Sequence, residues 1–336
     1  MKRTATGTLV GLAIGDAMGF PTEFSSVAQI AATHGPWRTM PLPVYSGQAY
    51  VTDDTQMTIA LGEGLLEALA AGPLTAATME PPVRARFLQW WRSPENNRAP
   101  GRTCLQACEA LSRGGAWQAA SEVGSKGCGA NMRVAPVGLL PGLDQQQRSG
   151  AAQLQSALTH GHPTALAASD LTAHAVWLLV QGAAPAELLR LLREYAGQAR
   201  SVYRGDWLGD LAERAHDPDR ASFIGRGWDE CLAVLGRVEA ALSAADPETD
   251  PCLAVGAGWI AEEALATALY CFLLLPDDPQ AVVRRAAYSS GDSDSIAALA
   301  GAFAGAHHGI EAWPEEWVRD IEYRARLLAL GAAWDM

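Results

Sequence analysis

The sequence lacks the excess of basic residues that a general nucleic-acid binder needs. Its 336 residues include 25 Lys and Arg against 37 Asp and Glu, which gives a formal net charge of −12. Binding to nucleic acid or to an anionic membrane depends on Lys and Arg side chains that neutralise phosphates. We therefore expect neither general nucleic-acid binding nor membrane binding. An anionic small ligand is still compatible with this charge, because a bound cation can reverse the field of a local site.

C-x-x-C pairs and long apolar runs are also missing. The longest apolar run, 264–275, is far shorter than the about 18–20 residues that span a membrane. Asp16 interrupts the apolar run near the N-terminus and no A-x-A cleavage site follows, so no signal peptide is predicted. The cysteines stand mostly in apolar helical contexts, which is typical of free thiols in a reducing compartment. They are Cys104, Cys108, Cys128, Cys231, Cys252 and Cys271. A cytoplasmic protein is expected.

Alternating patterns and β-branched runs, which would predict strands, are scarce, whereas Ala and Leu are abundant. Helical periodicity recurs along the chain. The segments are 6–18, 56–70, 102–112, 151–158, 163–181, 185–196, 228–244, 257–275, 279–288, 295–308 and 314–330. The stretches 35–50 and 197–225 are predicted to be irregular. Because small Ala faces allow close helix contacts and no repeat is visible, we expect residues 1–336 to form one compact all-α domain.

Two short acidic motifs stand at the starts of apolar helices: Thr-Asp-Asp-Thr at 52–55 and Gly-Asp-Ser-Asp-Ser at 291–295. Helix capping explains either motif alone, since these side chains accept hydrogen bonds from first-turn N–H groups. Capping needs only one oxygen, however, and neighbouring carboxylates repel unless a cation joins them. Together the motifs offer an all-oxygen ligand set, which favours Mg²⁺, Mn²⁺ or Ca²⁺ over zinc. An EF-hand starting at Asp292 is excluded, because Ala297 and Phe303 stand where Gly and Glu are required.

A glycine-rich stretch at 123–133 combines small and polar residues. Backbone N–H groups exposed in such a stretch suit a phosphate or pyrophosphate. The Walker A and G-x-G-x-x-G spacings are absent, and an ordinary turn is the alternative interpretation.

Four ordered blocks carry a family resemblance. They are GLAIGDAMG at 11–19 followed by Glu23, TDDTQM at 52–57, MRVAP at 132–136 and SGDSDS at 290–295. This succession resembles the ADP-ribosylglycohydrolase family, which includes dinitrogenase reductase-activating glycohydrolase and the ADP-ribosylhydrolases that remove ADP-ribose from proteins. The resemblance spans nearly the whole chain. It implies an all-α orthogonal helical bundle with a binuclear Mg²⁺ or Mn²⁺ centre.

The resemblance also implies roles for individual positions. Glu23 matches a mobile glutamate near the metals or the scissile side of the ribose, and Glu23 or Asp54 would handle the proton in catalysis. The implied metal ligands are Thr52, Asp53, Asp54, Asp292, Asp294 and Ser295, the last replacing the Thr of many relatives.

A second set of positions matches substrate-binding residues of the family. Ser125, Gly127, Cys128 and Gly129 align with the loop that wraps the diphosphate and distal ribose. Lys126 and Cys128 depart from the residues found there in some relatives. His160 matches a histidine near the substrate, with a satisfied core histidine as the alternative.

The resemblance implies a metal-dependent hydrolase that cleaves the N- or O-glycosidic bond between ADP-ribose and a modified acceptor. ADP-ribosyl-arginine is the preferred substrate, since the 291–295 motif looks like that of arginine-specific relatives. An ADP-ribosylated protein is the expected partner, free ADP-ribose the product, and a monomer the expected state. Two other functions stay open: an ADP-ribose-binding module with little activity, and a metal-dependent nucleotide phosphohydrolase. Candidate aromatic residues for the substrate rim are Trp37, Trp90, Trp91 and Trp207, with core packing as the alternative.

Overall fold

The computed structural model describes residues 2–244 and 246–335. Within these ranges every regular element is a helix, and extended segments pair only in isolated bridges. The α-helices are α1 (Thr4–Gly19), α2 (Val27–His34), α3 (Asp53–Ala71), α4 (Ala76–Trp91), α5 (Arg102–Ser112), α6 (Trp117–Ala120), α7 (Ala135–Leu139), α8 (Gln145–Ala157), α9 (Pro163–Val180), α10 (Pro185–Ala199), α11 (Gly205–Leu208), α12 (Arg220–Ser243), α13 (Pro251–Ala254), α14 (Ala261–Leu274), α15 (Pro279–Ala287), α16 (Ser293–His308), α17 (Glu315–Asp320) and α18 (Arg324–Ala332). The prediction of an all-α fold is confirmed. Across the described ranges, no helix is long and apolar enough to cross a membrane.

Helices α1 and α16 form the centre of the fold, and both are almost entirely buried. Glycines on α1 let the two backbones touch. A Cβ added at Gly11 would lie 2.4 Å from the carbonyl oxygen of Gly301, and one at Gly15 would lie 1.9 Å from that of Ala297. A side chain at either position would force the helices apart, since protein interiors are close-packed. This contact places the end of α1 beside the start of α16, where the second acidic motif lies.

The structure divides the predicted helix at 314–330 into α17 and α18. Ile321 pairs with Ala49 in a parallel bridge, and Tyr323 takes a left-handed conformation with φ 55°. Neither feature is compatible with a continuous α-helix. The single helix predicted for this region is therefore wrong.

Helix α4 lies in a region for which the sequence predicts no helix. Pro81 and Pro82 stand in its interior, where proline removes hydrogen-bond donors. A capping box at the helix start compensates in part, because the backbone N–H of Thr78 donates to the Thr75 hydroxyl and that of Thr75 to the Thr78 hydroxyl.

The tryptophans considered for the substrate rim pack into the core. Trp37, Trp90 and Trp207 are buried, and Trp91 is partly buried against the core. The core-packing alternative therefore describes them. All six cysteines are free thiols, buried except for the partly buried Cys252.

Candidate active site

A cavity of about 400 Å³ opens where the starts of α3 and α16 face the glycine-rich stretch. Most of the residues singled out from the sequence line it. They are Glu23, Asp53, Asp54, Gly127, Cys128, Gly129, His160, Asp292, Asp294 and Ser295. Two of the expected site residues, Thr52 and Ser125, lie outside this lining, but their hydroxyls contact the lining residues Asp54 and Thr103. The fold thus brings the two acidic motifs and the glycine-rich stretch into one cavity.

The second acidic motif does more than cap its helix. Asp292 is the N-cap residue of α16, yet its side chain makes no capping hydrogen bond. Its carboxylate instead faces the cavity, where oxygen atoms of Glu23, Asp292 and Asp294 lie within 4.8 Å of one another. The backbone N–H of Asp292 donates to the carbonyl oxygen of Ala257 at 2.8 Å, which fixes the turn before the helix. The capping interpretation therefore does not account for Asp292.

The first acidic motif is oriented by Asp16, a residue that the sequence reasoning quoted without a role. Asp16 is fully buried on α1. Its carboxylate accepts hydrogen bonds from the backbone N–H groups of Thr52 and Thr55, both at 3.0 Å, and from the hydroxyls of both residues. Asp16 therefore holds the start of α3 so that Asp53 and Asp54 point to the cavity. The only sequence signal was a charge inside an apolar helix.

Asp53 and Asp54 have different surroundings. The backbone N–H of Gly101 donates to Asp53 at 3.2 Å. One oxygen of Asp54 lies 3.0 Å from the Thr52 hydroxyl, whose single proton it shares with Asp16, whereas its Oδ1 atom is buried without a partner. A buried carboxylate oxygen without a donor is costly unless a cation is present.

The cluster strongly disfavours its own negative charge. Burial raises the pKa of Asp53 to about 7. Burial and the nearby charge of Asp294 raise the pKa of Glu23 to about 8, and the same two causes raise the pKa values of Asp54 and Asp292. The group of side chains close enough to share an ion, Glu23, Asp292 and Asp294, consists of carboxylates, and crowded carboxylates with an orphaned oxygen nearby suit a hard divalent cation. The residues present therefore fit the metal that the resemblance implied.

The glycine-rich stretch is tied to the segment before α14. Gly127 and Ile260 form an antiparallel bridge, and the backbone N–H of Cys128 donates to the carbonyl oxygen of Trp259 at 3.2 Å. Lys126 points away from the cavity and forms ion pairs with Glu230, at 2.6 Å, and Glu262. Its ammonium group thus anchors the stretch and leaves the backbone of 127–129 facing the cavity.

His160 is a neutral side chain at the other wall. Burial, with a smaller contribution from the Arg133 charge, lowers the pKa of His160 to about 3. The Arg133 guanidinium donates to the Thr159 hydroxyl at 2.8 Å, and this hydroxyl lies 2.8 Å from Nδ1 of His160. Because the Thr159 hydroxyl also lies 3.4 Å from the carbonyl oxygen of Ser156, these contacts are compatible with the proton of the neutral imidazole on either nitrogen. A Cβ added at Gly127 would lie 3.4 Å from Nε2, so this nitrogen faces the glycine-rich stretch.

Two aromatic rings that sequence reasoning missed stand at the mouth of the cavity. Phe24 is 71% exposed and Trp259 is 41% exposed, and both line the opening. Their rings stack with centroids 5.3 Å apart and an interplanar angle of 18°. Phe24 lies in an irregular segment, and Trp259 lies just before α14, so the start of the helix predicted at 257–275 is wrong by four residues.

Fold and site together define an all-α hydrolase with an acidic centre beside a glycine-rich stretch. The chain belongs to the ADP-ribosylglycohydrolase family, whose sequence profile matches residues 1–335. It is 30% identical to the ADP-ribosylhydrolase ARH3 of Mus musculus, over 94% of this chain and 86% of that protein. It is 25% identical to the ADP-ribosyl-dinitrogen reductase glycohydrolase of Rhodospirillum rubrum, over 95% and 90%. An ADP-ribosylarginine hydrolase of Serratia proteamaculans is also 25% identical, over 96% and 76%.

A solved structure has the same fold. The ADP-ribosylglycohydrolase-related protein complex superposes with a TM-score of 0.69 over 99% of this chain and 98% of its own, at 24% identity. The family predicted from the four sequence blocks is confirmed, and with it an enzyme that hydrolyses glycosyl bonds.

Proposed function

We propose that this protein hydrolyses the glycosidic bond between ADP-ribose and a modified acceptor with the help of two Mg²⁺ or Mn²⁺ ions. The observation that carries the proposal is the meeting of both acidic motifs and the glycine-rich stretch in one cavity. The residues that would hold the ions are Thr52, Asp53, Asp54, Asp292, Asp294 and Ser295. When bound, such ions polarise the ribose hydroxyls and water as Lewis acids.

Glu23 is the best candidate for the general acid or base. Cleavage of a glycosidic bond passes through an oxocarbenium-like state, in which the leaving group needs a proton and water must lose one. Glu23 is only partly buried and lines the mouth of the cavity, so its carboxylate is open to a substrate and to water. Asp54 lies deeper, and its orphaned Oδ1 atom is better suited to hold an ion.

The glycine-rich stretch would bind the diphosphate. Gly127, Cys128 and Gly129 line the cavity; because the Cys128 N–H is bonded to the Trp259 carbonyl, the N–H groups of Gly127 and Gly129 would meet the diphosphate, and His160 adds an imidazole that stays uncharged near neutral pH. Ser125 contributes indirectly, because its hydroxyl lies 2.9 Å from the Thr103 hydroxyl and holds the stretch to α5.

ADP-ribosyl-arginine is the acceptor linkage that the cavity mouth suits best. A guanidinium is a planar cation that stacks on aromatic rings and pairs with carboxylates. Phe24, Trp259 and Glu23 offer both kinds of contact at the mouth. A guanidinium leaving group would therefore find complementary surroundings, whereas a serine hydroxyl would use neither ring.

Product analysis tests the proposal. The purified protein should release free ADP-ribose from arginine-linked ADP-ribosyl protein in Mg²⁺ or Mn²⁺, and release it more slowly from serine-linked protein. Asp292→Ala should abolish turnover with an unchanged helical circular dichroism spectrum, whereas Asp206→Ala, a change at an exposed site on α11, should retain it. Undiminished turnover by Asp292→Ala would contradict the assignment. Free phosphate as product would indicate a phosphohydrolase, and ADP-ribose binding without turnover a binding module.

A further inference from the structure

The side chain of Glu23 reaches the acidic cluster without a hydrogen bond to its carboxylate. Among the described residues its carboxylate has no hydrogen-bonding or ion-pair partner, although it lies within 4.8 Å of oxygens of Asp292 and Asp294. Carboxylates placed so close together repel each other. Its position must therefore be imposed by the residues on either side of it in the chain.

The residue before Glu23 is fixed in the interior. Thr22 is buried, and its hydroxyl lies 2.6 Å from the carbonyl oxygen of Ala287 and 3.0 Å from the hydroxyl of Ser293. The backbone N–H of Glu23 donates to the carbonyl oxygen of Gly19 at 3.1 Å. One end of this short segment is thus attached to α1, α15 and α16.

The residue after Glu23 is held differently. Phe24 has a φ of 62°, a left-handed conformation that is unfavourable for an aromatic residue. Its ring is 71% exposed, so core packing does not hold it in place. The ring contact that it does make is the stack on Trp259, with centroids 5.3 Å apart. The turn is closed by a hydrogen bond from the backbone N–H of Ser25 to the carbonyl oxygen of Thr22 at 3.1 Å, and the stack on Trp259 is the support that the Phe24 side chain adds to it.

Trp259 itself is attached to both walls of the cavity. Ala257, two residues earlier, accepts a hydrogen bond at 2.8 Å from the backbone N–H of Asp292. The carbonyl oxygen of Trp259 accepts one at 3.2 Å from Cys128 in the glycine-rich stretch. Gly258 between them has φ 84°, and a Cβ there would lie 2.7 Å from Ile296. The Trp259 ring is thus a fixed support on an otherwise open mouth.

We infer that Trp259 is a positioning residue for Glu23: its ring holds Phe24, and Phe24 holds the Glu23 carboxylate over Asp292 and Asp294. The kinetic part of this inference rests on the proposed function. The carbonyl oxygen of Trp259 accepts a hydrogen bond from Cys128 in the glycine-rich stretch. The position of Glu23 is therefore linked, through Phe24 and Trp259, to the wall of the cavity that would bind the diphosphate. Binding energy from the distant part of a substrate can in this way support the reacting end.

A double-mutant cycle tests the link. On serine-linked ADP-ribosyl protein, whose acceptor would use neither ring, Trp259→Leu should lower kcat about tenfold or more with little change in KM, since a small misplacement of a catalytic group is costly. It should also weaken Mn²⁺ binding, measured by calorimetry without substrate. In a Glu23→Gln background the same substitution should change neither quantity further, because the group that it positions has been removed. Trp259→Phe, which keeps a ring for stacking, should retain most of the wild-type kcat and Mn²⁺ affinity.

Two further variants make the cycle decisive. Phe24→Leu should reproduce the effects of Trp259→Leu, and its largely exposed ring can be replaced without opening the core. Val202→Ala, a change at an exposed apolar residue between α10 and α11, should match the wild type.

The possible results separate this inference from the proposed function. If the loss of kcat caused by Trp259→Leu adds fully to the loss caused by Glu23→Gln, Trp259 does not position Glu23. A rise in KM with unchanged kcat would also overturn the positioning role and assign Trp259 to direct substrate contact. If the wild type hydrolyses no ADP-ribosyl substrate, the proposed function fails. The Mn²⁺ affinities of the single and double variants then decide the inference. Non-additive effects of Trp259→Leu and Glu23→Gln on Mn²⁺ affinity support it, and fully additive effects overturn it.

Discussion

The hydroxyl of Thr52 lies 2.9 Å from the carboxylate of Asp16, although the two residues belong to different helical segments. The first is the N-cap residue of α3 and the second lies near the end of α1. Through this pair, the central helix of the fold sets the direction of the first acidic motif.

Asp16→Asn should therefore damage both stability and cation binding. An amide in place of the buried carboxylate presents N–H donors to the donors of Thr52 and Thr55, which should cost about 2 kcal/mol or more in the free energy of unfolding. Urea unfolding and Mn²⁺ titration measure the two effects. Asp335→Asn is the matched control, because Asp335 accepts a hydrogen bond at 2.8 Å from Ala5 at the opposite end of α1. The control should lose stability and keep Mn²⁺ affinity; wild-type Mn²⁺ affinity in Asp16→Asn would refute the role given to Asp16.

Removal of divalent cations should destabilise the wild type. Ions that bind only the folded state add to its stability, and without them the clustered carboxylates repel. The melting temperature in EDTA at pH 8 should therefore lie below that in Mg²⁺. Asp294→Asn should narrow this gap, because it removes one charge from the cluster, whereas Asp206→Asn should leave the gap unchanged. A melting temperature insensitive to EDTA would count against a cation site.

Gly129→Ala should impair the glycine-rich stretch. The added Cβ would lie 2.8 Å from Cys104 Sγ and 3.1 Å from His160 Cε1, so the backbone or the imidazole must move. We expect ADP-ribose affinity to fall about tenfold, measured by calorimetry, with a small change in melting temperature. Gly124→Ala is the control, since an added Cβ there meets no atom within 4 Å. Equal affinities of the two variants would show that the stretch does not contact ADP-ribose.

His174 should contribute to acid sensitivity. Burial, with a smaller contribution from Arg148, lowers the pKa of His174 to about 3, and its ring stacks on Tyr195 with centroids 3.9 Å apart. Below about pH 6.5 the unfolded chain binds a proton that the folded protein does not. Stability from this group is thus present above pH 6.5 and lost as pH falls toward 3.

His174→Phe keeps a ring beside Tyr195 and removes this titration. Between pH 8 and pH 5 its free energy of unfolding should fall by about 1–2 kcal/mol less than that of the wild type. Denaturant unfolding at the two pH values measures the difference. His216→Gln, at an exposed position, should follow the wild type. Parallel pH dependence of His174→Phe and the wild type would disprove the contribution.

Local sequence patterns were sufficient to predict the bounds of the helices that show a clear apolar periodicity. The predicted 102–112 coincides with α5, and α1, α9 and α15 differ from their predictions by a few residues at most. Long-range contacts explain the failures. The break before α18 depends on a bridge from Ile321 to Ala49, far away in the chain. No pattern within 314–330 encodes that partner.

The candidate site was predictable in its charged residues and not in its supports. Two carboxylates at one helix start stand out in a sequence, because capping the helix requires only one of them. The roles of Asp16 and Trp259 depend on which residues the fold places opposite them, at 3.0 Å from the Thr52 N–H and 5.3 Å from the Phe24 ring centroid. Such distances follow from tertiary packing, which single-sequence periodicity does not contain.

The backbone contact between α1 and α16 also bears on how the protein matures. Ser293 donates to the carbonyl oxygen of Gly19 across 274 positions of the chain. Loop closure over such a distance is among the slower events of folding. Because the second acidic motif reaches the first only when α16 has docked on α1, a chain emerging from the ribosome cannot bring the two acidic motifs together until α16 has been made. Acquisition of a divalent ion would thus mark the end of folding rather than nucleate it.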